Sequence, residues 1–293
     1  MKASPFLEHL SAELQKRFGE TFAIKDVSPE FGGSINESFR LGTTQGHFFL
    51  KRNNAQNYPE MFRHEAAGLN LLKTLTSFKV PEVILWGETG DHAFIIIEYL
   101  TKENNSLAFW KTFGHNLANM HKQTHDGFGL KHSNYIGSLH QSNTFKQSWA
   151  DFFVSERLVP MVSMAHQAGK LDVDTVKKFE KLCFKMNDMF PAETPALLHG
   201  DLWSGNYMCT RGDTPCIFDP AVYYGHREMD LAMMQLFGGF HADTYKAYQE
   251  IYPLESGWKQ RVDLCNLYPL LVHVNLFGGN YVKQVKQLVS QYT

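Results

Sequence analysis

The apolar residues of this chain change their spacing near residue 100, and that change limits the folds open to it more than any other feature. Residues 22 to 51 carry short β-rich runs, "TFAIKDVSPEF", "ESFRLGT" and "GHFFLKRN", broken by Gly32-Gly33 and by "GTTQG". This pattern predicts an antiparallel meander. "VPEVILWGETGDHAFIIIEYL" adds two strands around a Gly-Asp turn. Two helices interrupt this half. One runs over 4–18 after Ser4-Pro5, with Leu7, Leu10, Leu14 and Phe18 at helical spacing, and the other is "NYPEMFRHEAAGLNLLKTLTSF", with Pro59 near its first turn.

After Leu100 the helical period takes over. It is carried by "NNSLAFWKTFGHNLANMHKQT", "SWADFFVSERLVPMVSMAHQAG", "DVDTVKKFEKLCFKMNDMF", "MDLAMMQLFGGF", "ADTYKAYQEIY" and about 258–277, with a single β-flavoured island at 197–219. The expectation is an α+β, bilobal chain. A small antiparallel β-rich N-terminal lobe, residues 1–100, is joined near 99–103 to a larger, mainly helical C-terminal lobe, residues 101–293. A cleft between two such lobes is a natural ligand site.

The island holds "LLHGDLWSGN", residues 197–206. Asn206 follows Asp201 by five positions, and Asp219, closing "PCIFD", follows it by eighteen. This is the spacing of a kinase catalytic loop followed by a hairpin. One Asp meets the acceptor hydroxyl, while an Asn and a second Asp hold Mg²⁺ against phosphates. Such oxygen ligands suit a hard cation. His199 is expected to buttress the loop, and Asp230, opening a later helix, to tie that helix to it. Upstream, Lys51 ends a strand and Glu65 lies on the next helix, the pair that orients the α- and β-phosphates of ATP. Gly32, Gly33, Ser34, Ile35 and Asn36 form a turn whose backbone N–H groups suit phosphate oxygens. Glu98, Tyr99 and Leu100 end an apolar strand where linker backbone can pair with adenine. Each piece alone is a weak signal, but their order and spacing agree on a protein-kinase-like fold.

Composition narrows the remaining classes. Net charge is −2 and the pI about 6.7, so no global positive field exists for nucleic acid or an anionic membrane. The N-terminus has no apolar core of signal-peptide length, and no run of about 18 apolar residues appears. A soluble, cytoplasmic protein is expected, with the oligomeric state open between monomer and dimer. The four cysteines form no CxxC pair and read as small buried hydrophobes in a reducing compartment. His115, His121 and His125 share a helix, but no Glu follows His121 and no third ligand is evident, so a zinc site is disfavoured.

These residues are similar to those of the fructosamine kinase family (fructosamine-3-kinase, ketosamine-3-kinase), a branch of the aminoglycoside-phosphotransferase-like kinases. The resemblance rests on "LLHGDLWSGN", "IFDPAVYYGHREMDLAMMQLFGGF", "NYIGSLHQSN" at 134–143, "WADFFVSERL" at 149–158 and "HVNLFGGNY" at 273–281. It spans Gly32 to Tyr281. It implies ATP- and Mg²⁺-dependent phosphorylation of the 3-hydroxyl of a ketosamine, the product of a sugar and an amine. The resulting 3-phosphate is unstable and frees the amine, which is deglycation. Two positions depart from the family. Ser34 stands where some relatives carry a cysteine, and Ser133 where an aspartate is common.

In this scheme Asp201 is the proton acceptor. Asn206 and Asp219 bind the metal, Lys51 held by Glu65 clamps the phosphates, and the 32–36 turn covers them. Trp203 is expected to stack on a sugar face, the competing reading being that it packs on Tyr223 or Tyr224 and holds the loop. His273 and Asn275 are expected to line the same pocket. The rivals are a sibling kinase for aminoglycoside, choline or homoserine, disfavoured by the few clustered acids in the helical half, and a nucleotide-binding scaffold, disfavoured because no catalytic piece is missing. A protein kinase lacks support because no APE-like segment follows Asp219.

Overall fold

The computed structural model describes residues 5–30 and 35–292. Five strands form the first sheet: β1 (Ile24–Pro29), β2 (Glu37–Thr43), β3 (Gly46–Asn54), β4 (Val83–Thr89) and β5 (His92–Glu98). Their order is β1-β2-β3-β5-β4, and every neighbouring pair is antiparallel. The side-chain period of two explains how this sheet is covered. On β5, Phe94 and Ile96 pack with Leu10 and Leu14 of α1 (Pro5–Phe18). The alternate residues Ile95 and Ile97 pack with Phe62, Leu69 and Leu72 of α2 (Met61–Leu75). Both faces of the strand are buried, which accounts for its unbroken run "FIII".

The cluster beneath the sheet does not stop at the sheet. It continues into α3 (Leu107–His121) through Phe109, Phe113 and Leu117, and on to Leu197, Leu202 and Leu231. One continuous core therefore joins the strands to the 197–219 island. Ser106 caps α3, its hydroxyl accepting from the Ala108 and Phe109 amides.

α2 starts at Met61, two residues after Pro59. Glu60 is left-handed at φ 57, and the Asn54 carboxamide oxygen accepts from the Gln56 and Asn57 amides, so a turn occupies the expected first helical turn.

The helical half carries α4 (Trp149–Phe152), which runs through a π-helical segment, Phe153–Leu158, into α5 (Val159–Gln167). It also carries α6 (Val173–Lys185), α7 (Glu228–Leu236), α8 (Ala242–Ile251), α9 (Trp258–Phe277) and α10 (Asn280–Val289). The island expected at 197–219 resolves into β8 (Ala196–Leu198), β9 (Tyr207–Thr210) and β10 (Thr214–Ile217), and a further strand beyond it, β11 (Tyr223–Gly225), pairs with β8 as β9 pairs with β10. Two features were not expected from sequence: α10, and a hairpin of β6 (Asn134–Ile136) and β7 (Leu139–Gln141). Among the described residues no helix is long and apolar enough to cross a membrane. Cys209, Cys216 and Cys265 are buried, Cys183 is half-buried, and all four are free thiols.

Candidate active site

Between the strand-rich half and the helices lies a cavity of about 300 Å³. Lys51 reaches it from β3 and is itself buried. Its ammonium donates to Glu65 of α2 at 2.8 Å and also pairs with Asp219. Burial alone would push Lys51 towards neutrality, but the Asp219 and Glu65 carboxylates outweigh it and hold the ammonium charged. Glu65 is thus an inward clamp for Lys51, as the spacing predicts, rather than a solvated helix residue.

The loop after β8 is fixed from below. Asp230, buried in the first turn of α7, accepts from the backbone amides of His199 at 2.8 Å and Gly200 at 2.9 Å. Its Oδ2 also meets the His121 ring at 3.2 Å. His199 is buried, its Nε2 donating to Phe218 O at 3.0 Å and its Nδ1 accepting from the Asp201 amide at 3.3 Å. Both residues hold the loop, as expected. Gly200 sits at φ +82, and a Cβ there would lie 2.1 Å from Ala221 O, so only glycine fits. Of the three histidines expected on one helix, His115 and His121 lie on α3 and His125 lies beyond its end, and each has a partner. His121 bonds Tyr248 as well as Asp230, His115 faces Glu250, and His125 stacks on Phe145.

Asn206 turns its side-chain nitrogen towards Asp201, donating to the backbone oxygen at 2.8 Å and to Oδ2 at 3.0 Å. Its side-chain oxygen takes part in neither bond. Asp219 lines the cavity too, left-handed at φ 56 and followed by Pro220, a conformation that few residues other than glycine, Asn and Asp adopt. Asp201 is raised to about 7, first by burial and then by the Asp219 charge.

Asp201, Asn206, Asp219, Lys51, Glu65, Ile35, Asn36 and Trp203 therefore all line one space. Gly32, Gly33 and Ser34 lie outside the described residues. Glu98, Tyr99 and Leu100 are not part of the lining. The Glu98 carboxylate is taken by Lys79 at 2.6 Å, and the Tyr99 hydroxyl donates to Glu30 at 3.1 Å. Asn275 is a correction: its side-chain nitrogen donates to Met161 O and Leu271 O, both at 3.0 Å, so it holds helices together away from the cavity. His273 is a correction too. Its Nδ1 donates to Pro269 O at 2.8 Å, and its ring lies between Phe237 and Tyr281 rather than in the lining. Trp203 packs on neither Tyr223 nor Tyr224. Its ring covers Gly205, where a Cβ would come within 2.3 Å, and it meets Phe237 edge-on at 6.0 Å.

The sequence reading missed the hairpin wall. Asn134, Tyr135 and Gly137 line the cavity. A buried polar network seats the hairpin on the segment after Asp219. Gln141 donates to Ala221 O at 3.1 Å and to Asn134 Oδ1 at 2.8 Å, and Asn134 donates to Val222 O at 2.9 Å. Asn143 donates to Asn134 Oδ1 at 2.9 Å and accepts from Arg157 at 2.7 Å. Arg157, fully buried in the π-helical segment, lies over the rings of Tyr223, Phe152 and Tyr268 at 4.1–5.3 Å. The glycine in "NYIGSL" was the only sequence signal for this turn.

The fructosamine kinase family model matches residues 6–293. The chain belongs to the fructosamine kinase family. It is 39% identical over 275 residues to a probable ketoamine kinase of Enterococcus faecium, covering 91% of this chain and 95% of that one. It is 35% identical to the chloroplastic protein-ribulosamine 3-kinase of Arabidopsis thaliana, covering 100% of this chain and 88% of that one. A solved structure from Thermobifida fusca, described as a candidate fructosamine-3-kinase, superposes with a TM-score of 0.86 at 32% identity, covering 96% and 97% of the two chains. Aminoglycoside phosphotransferase APH(4)-Ia superposes at 0.63 with 15% identity, covering 98% and 99%, a likeness of fold alone. Within the fructosamine kinase family, then, the expected bilobal, protein-kinase-like α+β fold is the observed one.

Proposed function

We propose that this chain transfers the terminal phosphate of ATP to the 3-hydroxyl of a ketosamine, of the fructosamine or ribulosamine kind, and so starts deglycation. The observation that carries this reading is the meeting of Asp201, Asn206, Asp219 and the Lys51–Glu65 pair on one cavity, in a chain whose relatives bear ketoamine and ribulosamine kinase names.

The donor set fits Mg²⁺. A carboxylate from Asp219 and a carbonyl oxygen from Asn206 face one space, with the Asn206 nitrogen turned away to Asp201. Magnesium supplies charge neutralisation on phosphate oxygens when bound. Lys51, held by Glu65, binds phosphate oxygens. Asp201 orients the attacking hydroxyl and takes its proton as the oxygen–phosphorus bond forms and the bond to the ADP oxygen breaks. Trp203 offers an indole face to the C–H face of the sugar and sets which hydroxyl reaches Asp201.

The test is turnover of ATP with ribulosamine and fructosamine, the phosphate position being read by phosphorus NMR. A 3-phosphate is expected. Asp201→Asn is expected to lower kcat roughly 10²–10⁴-fold, about 3–5 kcal/mol of barrier. Wild-type kcat in that variant removes Asp201 from the role. Absence of any ketosamine phosphate from the wild type removes the function.

A further inference from the structure

Beyond the sugar site, the structure carries a row of rings that the phosphate chemistry does not use. Trp203 lines the cavity and meets Phe237 at 6.0 Å, Phe237 meets His273 at 5.0 Å, and His273 meets Phe277 at 5.6 Å and Tyr281 at 4.8 Å. The row comes from four separate places: the catalytic loop, the end of α7, the last turns of α9 and the start of α10. Yet it is open to solvent, with Trp203 36%, Phe237 38% and Phe277 57% exposed. Burial would be the usual fate of such rings.

Its placement is rigid. Asp230 ties the start of α7 to the catalytic loop, and Phe237 closes the same helix. The next residues sit tightly on that loop: a Cβ at Gly239 would lie 2.5 Å from Ser204 Cβ, and the Tyr207 hydroxyl donates to Gly239 O at 2.6 Å. Phe237 is thus held at a fixed distance from Asp201 and Trp203. His273 is pushed below its ordinary pKa by burial and stays neutral, so the row is uncharged along its length.

We infer that this row is the binding surface for the amine-side substituent of the substrate, and that the enzyme favours ketosamines carried on apolar or aromatic amines. The inference rests on the ketosamine reading above. In a ketosamine the nitrogen is on C1, next but one to the reacting C3. Whatever the nitrogen carries must leave the cavity close to the Asp201–Trp203 turn. A space of about 300 Å³, at the small end for ligand sites and shared with phosphates, does not hold that substituent as well. The ring row begins at Trp203 and runs from that point to the surface.

The experiment compares two ribulosamines, made from methylamine and from 2-phenylethylamine, as substrates of the full-length enzyme. The phenylethyl compound is expected to show a KM roughly tenfold lower, with similar kcat, from stacking on one or two rings. Phe237→Ala and Phe277→Ala are each expected to shrink that preference several-fold. Because Phe237 also packs on Trp203, Phe277→Ser provides a second variant at the most exposed ring, and melting temperatures establish that each variant folds. Equal KM values for the two compounds in the wild type overturn the inference while leaving the kinase reading intact. An unchanged preference in folded Phe277 variants overturns it too, including the case where those variants alter only self-association. No turnover of either compound sinks the kinase reading instead.

Discussion

An indole two residues from Asp201 is held by little that stability alone would require. Trp203 is about a third exposed, rests on a glycine and touches one other ring. Trp203→Ala is therefore expected to raise the KM for ketosamine about tenfold, with a loss of folding stability below about 1 kcal/mol, checked by steady-state kinetics beside thermal melting. A large fall in melting temperature with unchanged KM would mean that the ring only braces the loop. At this scale much of the site was legible before any coordinates. Lys51, Glu65, Asp201, Asn206 and Asp219, singled out because order and spacing along the chain are separate constraints, do line one cavity. Asn275 was misread because its side-chain nitrogen folds back on the Leu271 carbonyl of its own helix and crosses to Met161, a choice of face that the mostly apolar second half of α9 does not display.

Among elements, the β6–β7 hairpin deserves a role that its length hides. Each strand has three residues, too few for an alternating pattern to declare itself. The π-helical segment that carries Arg157 is a change of hydrogen-bond register inside an ordinary-looking helix, also invisible to periodicity. Together they brace the backbone just after Asp219, whose left-handed conformation needs support from its surroundings. Gln141→Ala removes the tether to Ala221 and leaves the Tyr268 hydroxyl without its 2.6 Å acceptor. It is expected to cost about 1–3 kcal/mol of stability and to weaken Mn²⁺ binding several-fold in an electron paramagnetic resonance titration. Unchanged Mn²⁺ affinity alongside lower stability would limit the network to structure.

For the molecule as a whole, acid sets two buried groups against each other: Asp201, raised to about 7 by burial, gains stability as pH falls, while His226 loses it. His226 is buried against Trp149 and Phe190, and burial holds it down at about 4, with the Glu193 carboxylate only partly opposing. Unfolded, the same ring takes a proton near 6.5. Between those values the unfolded chain binds more protons than the folded one, so stability is complete above about pH 6.5 and falls as pH drops towards 4, by on the order of 3 kcal/mol from this residue. Burial lowers His199 and His273 as well and adds the same sign. Glu193, held low mainly by Arg227 against the cost of burial, adds a further loss below the ordinary carboxylate range. Because Asp201 opposes this slope, the test is the difference in stability between wild type and His226→Gln from urea melts at pH 7.5 to 4, which should change by on the order of 3 kcal/mol against the wild type as pH falls. The two-part architecture was readable from the change in periodicity. The continuous core beneath the sheet was not, because it depends on which distant apolar faces meet.

The bend of the hairpin sets how closely two distant parts of the chain approach each other. Gly137, at φ +58, turns a bare backbone towards Ile35 on one side and Leu276 on the other, and an added methyl would sit 3.1 Å from each. A single missing carbon atom therefore acts as a spacer of zero thickness between the roof of the cleft and its floor. Any side chain at 137 would stand at a left-handed φ and press on both neighbours at once, so the closeness of those two parts of the chain depends on this residue being glycine.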